Sequence, residues 1–482
     1  MALYEEIASR LEGLIADGTF GPGDRLPSVR ALSREWGVSI TTVQEAYRRL
    51  ENAGVLEARP QSGHYVRPRP LVRVATAPAE KPGCPEPRPV TTRELAWNIF
   101  REGGQPGLVK LGAAIPSPDL LPVTKLNRAL AVATRRAGSR AIGYQLPDGL
   151  PELRAELARR AVEAGCAARP DDFVVTNGCM EAVTLALRVL CRPGDTVALE
   201  SPVYFGHLQA LETLGLRVLE IPTHEREGLS IEALRFALDH HSVQAVIASP
   251  NFSNPLGSLM PGERKRELVG LLGERDIPLI EDDLYGELGF EGPRPRAAAS
   301  YDTEGRVVLW CSSVSKTLAP GWRVGWVASA RWKAEIERLR MVFDITSPTP
   351  PQLALLDFFQ TGGYDYHLRR MRKHLACRMR RLVRVVREAF PRPTRIVEPG
   401  GGMVTWVVLP PGLDAVRLYR AALCQGITIA PGSLFSAAGQ YRNCIRLNAA
   451  FATEENEPAL RTLGRLAAEQ LAARQDADGG VA

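Results

Sequence analysis

Between residues 173 and 328 the sequence repeats one pattern, a short apolar run rich in β-branched residues followed by a helical stretch, and few folds accommodate it. The runs are Phe173–Thr176, Thr196–Glu200, Arg217–Ile221, Ala245–Ser249, Pro278–Glu281, Val307–Trp310 and Val324–Ala328. Apolar on successive residues, they suit strands covered on both faces, and the helices between them suit crossovers that keep strands parallel. This predicts an α/β domain whose largely parallel sheet lies between helices, with functional groups at the carboxyl ends of the strands. A chain of 482 residues exceeds a single core, and 45% hydrophobic residues supply two or three.

One strand end carries Lys316, within Trp310-Cys-Ser-Ser-Val-Ser-Lys-Thr-Leu-Ala-Pro-Gly-Trp-Arg-Val-Gly-Trp326. A solvated lysine in a Ser-rich loop is the plain alternative. A desolvated lysine loses its proton and attacks a carbonyl, because burial disfavours the ammonium. The aldehyde of pyridoxal 5'-phosphate (PLP) is the carbonyl this stretch suits, with Ser313, Ser315 and the Arg323 fork as donors to its phosphate.

Other strand ends extend this reading. Thr176-Asn-Gly178-Cys179-Met180 joins a strand to a helix whose free N–H groups and dipole make an anion site. Tyr204 suits stacking on the pyridine ring, or a place in the core. Asn254, in Asn254-Pro-Leu-Gly257, offers an amide to the ring hydroxyl, though the sequence is equally a turn. In Glu281-Asp282-Asp283-Leu-Tyr285 a carboxylate at a buried strand end needs a positive partner. A pyridinium N–H satisfies Asp282 and keeps the ring electron-withdrawing, while Tyr285 donates to the ring oxygen. Arg446, in the apolar run Cys444-Ile-Arg446-Leu-Asn448, suits bidentate capture of a substrate carboxylate, with a structural salt bridge as its alternative.

Residues 1–68 read differently. Leu3, Ile7, Leu11, Leu14 and Ile15 predict a helix over 3–17; a short helix, with Ser28 as cap, runs to Gly37; a third starts at Ser39 and stops at Gly54. Val43, Ala46, Tyr47 and Leu50 form its buried face. Two helices joined by Gly37-Val-Ser39 make a helix-turn-helix, and the runs 55–59 and 64–67 around Pro60-Gln-Ser-Gly63 make a two-stranded wing. The N-terminal part of the third helix would enter a major groove, presenting Ser39, Thr41, Thr42 and Gln44, with Arg30, Arg48, Arg59 and the wing-tip Gly63 at the backbone. Net charge is −1 here, so charge does not separate a DNA reader from a small helical interaction module.

Seven prolines fall within the 22 residues from Pro68 to Pro89, and residues 69–95 carry a net charge of +2, which makes a basic tether rather than a core. Extended, it spans on the order of 70 Å. The overall charge of +6 is too small to argue for nucleic acid. Eight scattered cysteines without a C-x-x-C pair point away from zinc or a disulfide framework and toward thiols in a reducing compartment. No apolar run reaches the ~20 residues of a membrane helix, so a soluble, cytoplasmic protein is expected.

The motifs Leu26-Pro-Ser-Val-Arg-Ala-Leu, Gly37-Val-Ser, Thr42-Val, Ala46-Tyr47, Leu50-Glu51 and Arg59-Pro-Gln-Ser-Gly63 resemble the winged-helix domain of GntR-type regulators. Ile40 departs from them, since many members carry Arg there. The series Gly178, Tyr204, Asn254, Asp282, Tyr285, Ser313, Lys316, Arg323, Arg446 resembles the aspartate-aminotransferase superfamily, PLP fold type I, over residues 96–470. The resemblance implies an aldimine on Lys316, Asp282 at the ring nitrogen, Asn254 and Tyr285 at the ring oxygen, and Ser313, Ser315, Arg323 and the Cys179 and Met180 N–H groups at the phosphate. Tyr144 would reach the partner subunit's phosphate in a homodimer. Cys179 and Met180 stand where many members have polar side chains, and Ala114 stands where glycine often approaches the substrate.

Together the parts resemble the MocR regulators: a winged helix over 1–68, a linker over 69–95, and over 96–482 a fold type I domain with a small C-terminal α/β subdomain. The resemblance implies a transcription regulator that binds double-stranded operator DNA and senses PLP or a small amino compound. A working aminotransferase with an appended DNA-binding domain, and a PLP-free scaffold, are the alternatives. The basic helix from about Tyr366 to Phe390 is expected to be solvated or dimer-facing, or else a second DNA-contacting surface.

Overall fold

The structure, a computed structural model, describes residues 3–16, 20, 24–53, 55–59, 63–66, 96–99, 101 and 105–479. The proline-rich tether expected over 69–95 lies outside the described residues. The chain divides into two units, residues 1–81 and 82–482.

In the first unit, helices α1 (Leu3–Ala16), α2 (Val29–Trp36) and α3 (Ile40–Asn52) precede strands β1 (Leu56–Arg59) and β2 (Gly63–Val66). Ser28 Oγ accepts from Ala31 N–H and Ser39 Oγ from Thr42 N–H, each satisfying an orphan donor at a helix start. Between the two helices Gly37 takes the left-handed conformation at φ 66°, which a side chain would disfavour. Val43, Ala46, Tyr47 and Leu50 pack with Leu11, Leu32 and Leu56 in one core, and Tyr47 donates from Oη to the Pro27 carbonyl at 2.7 Å. The wing is antiparallel, with Leu56 opposite Val66 and Arg59 opposite Gly63. Arg25 forms an isolated antiparallel bridge to Tyr65 of the wing, through Leu26 N–H to the His64 carbonyl and Val66 N–H to the Asp24 carbonyl, both 2.9 Å.

The second unit is built on an eight-stranded sheet of β3 (Phe173–Thr176), β4 (Thr196–Ser201), β5 (Arg217–His224), β6 (Gly228–Leu229), β7 (Ala245–Ala248), β8 (Leu279–Asp282), β9 (Val308–Ser313) and β10 (Gly325–Ala328), in the order β3-β10-β9-β8-β7-β4-β5-β6. Pairings among β4, β5, β7, β8 and β9 are parallel. The last apolar run departs from the parallel expectation: β10 is antiparallel to both β9 and β3. Its link to β9 carries no crossover helix, and without one the strand must return antiparallel. As a result β10 begins where the parallel strands end, and Arg323 just before it joins their carboxyl ends.

A smaller antiparallel sheet follows, β11 (Arg395–Ile396), β12 (Val404–Val408), β13 (Ala430–Pro431) and β14 (Cys444–Asn448), in the order β11-β12-β14-β13. A parallel pair, Val109–Lys110 with Ile427–Thr428, ties the entrance of the unit to this subdomain.

The long basic helix spans Gly363–Ala389. Part of its charge is ion-paired: Arg372 pairs with Glu287, Arg378 with Asp119, Arg381 with Glu454, Arg384 with Glu457 and Arg387 with Glu398. Cys166, Cys179, Cys191, Cys311, Cys377 and Cys444 are free thiols. Among the described residues no helix is long and apolar enough to cross a membrane, and no three His, Cys, Asp or Glu side chains are placed to hold a metal.

Candidate functional site

The carboxyl end of β3 turns at Gly178, φ 97°, into helix α4 (Cys179–Leu190). Arg323, itself left-handed at φ 53°, reaches across this turn. Its Nη2 donates to the Asn177 carbonyl at 2.7 Å and its Nη1 to Ser315 Oγ at 3.1 Å, while Ser313 Oγ accepts from Ser315 N–H at 3.2 Å. A Cβ on Gly178 would run into the Arg323 guanidinium, and the positive φ also favours glycine here. A helix N-terminus, a fixed guanidinium and two buried hydroxyls thus form one anion cup.

Beside the cup, Asp282 ends β8. Cys179 Sγ donates to its Oδ1 at 3.3 Å, and His207 Nε2, on helix α5 (Phe205–Thr213), lies 3.1 Å from its Oδ2. Burial, then Asp282, pushes the Cys179 thiol well above its usual range, so it stays protonated as a donor. Tyr204, immediately before α5, meets His207 edge-on at 5.5 Å between centroids. Tyr285 is buried and its Oη has no hydrogen-bond partner among the described residues. Burial raises its proton affinity, keeping it a phenol and hence a donor.

Lys316 is half-buried, and its Nζ donates to the Ala114 carbonyl at 2.7 Å. Desolvation first, then the positive charge of Arg446, brings its pKa down to about 8, against the pull of Asp282. Arg446 is fully buried on β14; its Nη1 donates to Asn254 Oδ1 at 2.9 Å, its Nη2 donates to the Gly112 carbonyl, and its Nε has no partner. Burial lowers its pKa to about 10, with Tyr285 and Tyr204 opposing. Among the described residues no carboxylate pairs with it, so the salt-bridge alternative fails, and a buried guanidinium with spare donors is left for an external anion. Because Arg446 occupies Asn254 Oδ1, the amide's NH2 remains as the free group.

The structure therefore brings together Gly178, Cys179, Tyr204, Asn254, Asp282, Tyr285, Ser313, Ser315, Lys316, Arg323, Arg446 and the Ala114 carbonyl. Met180 sits on the first turn of α4. Tyr144 stands apart, 84% exposed, beside Ile142 and Leu146. His207 and Asn448 join the site without a motif to mark them. Asn448 Nδ2 donates to the Ala113 and Ile115 carbonyls at 2.6 and 2.7 Å, which pins the segment whose other carbonyls hold Lys316 and Arg446. The only sequence signal for His207 is a polar residue on the buried face of an otherwise apolar helix.

The donor set fits PLP. The cup suits its phosphate, Asp282 its ring N–H, the unpartnered Tyr285 Oη and the Asn254 amide its ring oxygen, and Lys316 its aldehyde. When bound, PLP supplies an electron sink for bonds at the carbon bearing a condensed amine.

On the first unit, Arg30, Ser39, Thr41, Gln44 and Arg48 are exposed along one helix-turn-helix, with Thr42 half-buried. Ser39 Oγ lies 2.9 Å from Thr41 Oγ1 and 2.7 Å from Thr42 Oγ1. Arg48 pairs with Glu45 and Arg59 with Glu57, both exposed pairs that a phosphate can replace at little cost. Gly63, φ 114°, is backed by Arg25, whose Nε would meet a Cβ there at 3.1 Å; Arg25 gave no sequence signal.

Pocket and winged helix together define a PLP-binding aminotransferase-like protein equipped to read DNA. Residues 107–463 match the family model for aminotransferase class I and II, and residues 3–66 match that of the bacterial regulatory proteins of the gntR family. YdcR of Escherichia coli (strain K12), described as an uncharacterized HTH-type transcriptional regulator, is 39% identical over 98% of this chain and 100% of its own length. YjiR of the same strain, described likewise, is 38% identical over 96% and 98%. Among solved structures, LysN, the α-aminoadipate aminotransferase of Thermus thermophilus complexed with N-(5'-phosphopyridoxyl)-L-leucine, gives a TM-score of 0.72 at 28% identity, covering 80% of this chain and 96% of its own. The chain belongs to the HTH-type transcriptional regulators of MocR type, in which a GntR-type domain is joined to a class I and II aminotransferase domain.

Proposed function

We propose that this PLP-dependent, DNA-binding regulator measures the supply of an amino compound carrying a carboxylate. The observation that carries the reading is Arg446, a buried guanidinium without a carboxylate partner among the described residues, held by Asn254 and the Gly112 carbonyl next to Lys316. Arg446 grips the effector's carboxylate, Asp282 holds the cofactor ring's proton, Tyr285 donates to the ring oxygen, and the Lys316 amine takes up and returns the proton at the effector's α-carbon.

The regulator acts as a homodimer. Ile142, Tyr144 and Leu146 lie exposed beside Met341, Val342 and Phe343, with Thr346 Oγ1 bonded to the Leu146 carbonyl at 3.1 Å, and so many large apolar side chains in one area suit burial against a second copy. Tyr144 then supplies a hydroxyl to the partner's cup. The DNA-reading surface is Ser28, Arg30, Ser39, Thr41, Thr42, Gln44, Arg48, Arg59 and Gly63.

The test is absorbance of the PLP-loaded protein titrated with amino acids and with the matching decarboxylated amines. One amino acid is expected to shift the visible band and its operator affinity together. Arg446→Gln should weaken that response about 100-fold while leaving simple amines unaffected. An equal loss for both classes would remove Arg446 from carboxylate recognition. The completeness of the set Lys316, Asp282, Tyr285 and Arg446 favours a second reading, a working aminotransferase, and turnover with a 2-oxo acid at about 1 per second or faster would establish it.

A further inference from the structure

A second cavity, of about 710 Å³, opens on the 376–388 face of the Gly363–Ala389 helix, away from Lys316. That is the size of a small-molecule pocket. Its apolar lining is Phe290, Ala376, Met379 and Val383, with Met379 and Val383 buried in the core of the smaller subdomain. Most of its charged lining is already paired. Arg384 pairs with Glu388 and Glu457, Glu388 also takes Arg461, and Arg387 pairs with Glu398. Two charges of opposite sign remain: among the described residues neither Arg380 nor Glu291 has an ion-pair partner, and both are exposed. A cation and an anion left open beside an apolar floor match a zwitterion with an apolar body.

One side of the cavity is lined by the strap Glu398–Gly400, which continues into Gly401 and Gly402. Phe290 N–H donates to the Gly400 carbonyl at 2.9 Å, and Gly402 N–H to the Leu288 carbonyl at 3.0 Å. A Cβ on Gly400 would meet nothing within 4 Å, so this residue faces open space. A Cβ on the next residue, Gly401, would stand 2.5 Å from the Phe252 ring, and one on Gly402 3.9 Å from Tyr285 Cγ. Whatever fills the cavity therefore presses on a strap in contact with the residues around Tyr285.

We propose that this cavity is a second, non-covalent effector site that binds a free amino acid with a bulky apolar side chain, its carboxylate on Arg380 and its ammonium at Glu291. The site is independent of chemistry at Lys316, so its test uses N,N-dimethyl-L-phenylalanine, a zwitterion whose tertiary amine cannot condense with an aldehyde. Calorimetry on the full-length, PLP-loaded protein should give saturable binding at one site per chain. Arg380→Gln should weaken it about tenfold by removing the carboxylate's partner. Gly400→Trp should abolish it by filling the cavity, with the cofactor absorbance retained as the check that the pocket is intact. N-acetyl-L-phenylalanine and N,N-dimethylphenethylamine, each lacking one charge, should bind about tenfold more weakly. Absence of saturable binding up to about 10 mM, roughly the weakest affinity a specific site would show, would overturn the proposal. So would binding unchanged in Arg380→Gln yet lost in Arg446→Gln, which would place the probe in the cofactor pocket. Equal binding of either singly charged analogue would overturn the zwitterion assignment.

Discussion

Cys179 donates from Sγ to Asp282 Oδ1 at 3.3 Å, while His207 Nε2 lies 3.1 Å from the other carboxylate oxygen. Oδ1 thus has a hydrogen-bond donor, and the imidazole flanks Oδ2. Cys179→Val replaces the donor with a slightly larger apolar side chain, so PLP affinity should fall about three- to tenfold, the net worth of one ordinary hydrogen bond. Cys179→Ser should restore it. Titration of the apoprotein with PLP, followed at the visible band, measures both; a Val variant that binds as tightly as the parent would assign the contact to packing alone.

Lys316 should betray its environment in the pH dependence of cofactor loading. Burial and Arg446 bring its pKa down to about 8, so about one chain in ten carries the neutral amine at pH 7. The rate at which apoprotein captures PLP covalently should rise about tenfold per pH unit up to pH 8 and flatten above it. An ordinary lysine would keep rising past pH 10. Lys316→Ala should abolish the lysine-bound absorbance and leave the circular dichroism unchanged.

Glu200 carries the opposite sign. It is buried at the end of β4, with Oε2 accepting from Ser249 N–H at 3.1 Å and Oε1 unpartnered, and burial raises its pKa to about 7 from 4.5. The folded state then holds its proton more tightly than the unfolded state. Stability is therefore lost as pH rises from about 4.5 to 7, by on the order of 3 kcal/mol at most, and is level above. Glu200→Gln carries no such loss, so its thermal midpoint should gain on the parent's between pH 5 and pH 8. A difference that stays constant across that range would show Glu200 ionised at no cost.

The strand ends were legible because a buried parallel strand needs consecutive apolar residues, and the polar residues that interrupt such runs, Gly178, Asp282, Ser313 and Lys316, fall where the strands stop. Arg446 was legible for the same reason, a charge in an apolar run. The groups that orient these residues were not. His207 reaches Asp282 from 75 residues away, and Asn448 reaches residues 113 and 115 from the far end of the unit. Neither lies in a local pattern, since both contacts exist only once the sheets are assembled. At the long basic helix the carboxylates that meet several of its arginines, Glu287, Asp119, Glu454 and Glu457, come from other segments, so no local pattern announces them.

The winged helix offers a separation of affinity from specificity. Arg30 is exposed in the first turn of α2, and Thr41 and Gln44 are exposed in the first turns of α3 beside the Ser39 cap. A phosphate contact contributes without regard to sequence, and its loss reduces the salt dependence; a base-edge contact discriminates. Arg30→Ala should therefore weaken binding to operator and to random duplex alike, and lower the slope of log K against log salt by about one. Gln44→Ala should cost about 1 to 3 kcal/mol on the operator alone, relaxing preference at one base pair. Ser39 is excluded from such tests, since Ser39→Ala removes the cap on α3, an effect of about 1 kcal/mol on folding that would mimic a lost contact. Both informative variants should keep PLP absorbance unchanged. Anisotropy titrations at two salt concentrations separate the cases, and an Arg30→Ala loss confined to the operator would move Arg30 from the backbone to a base edge.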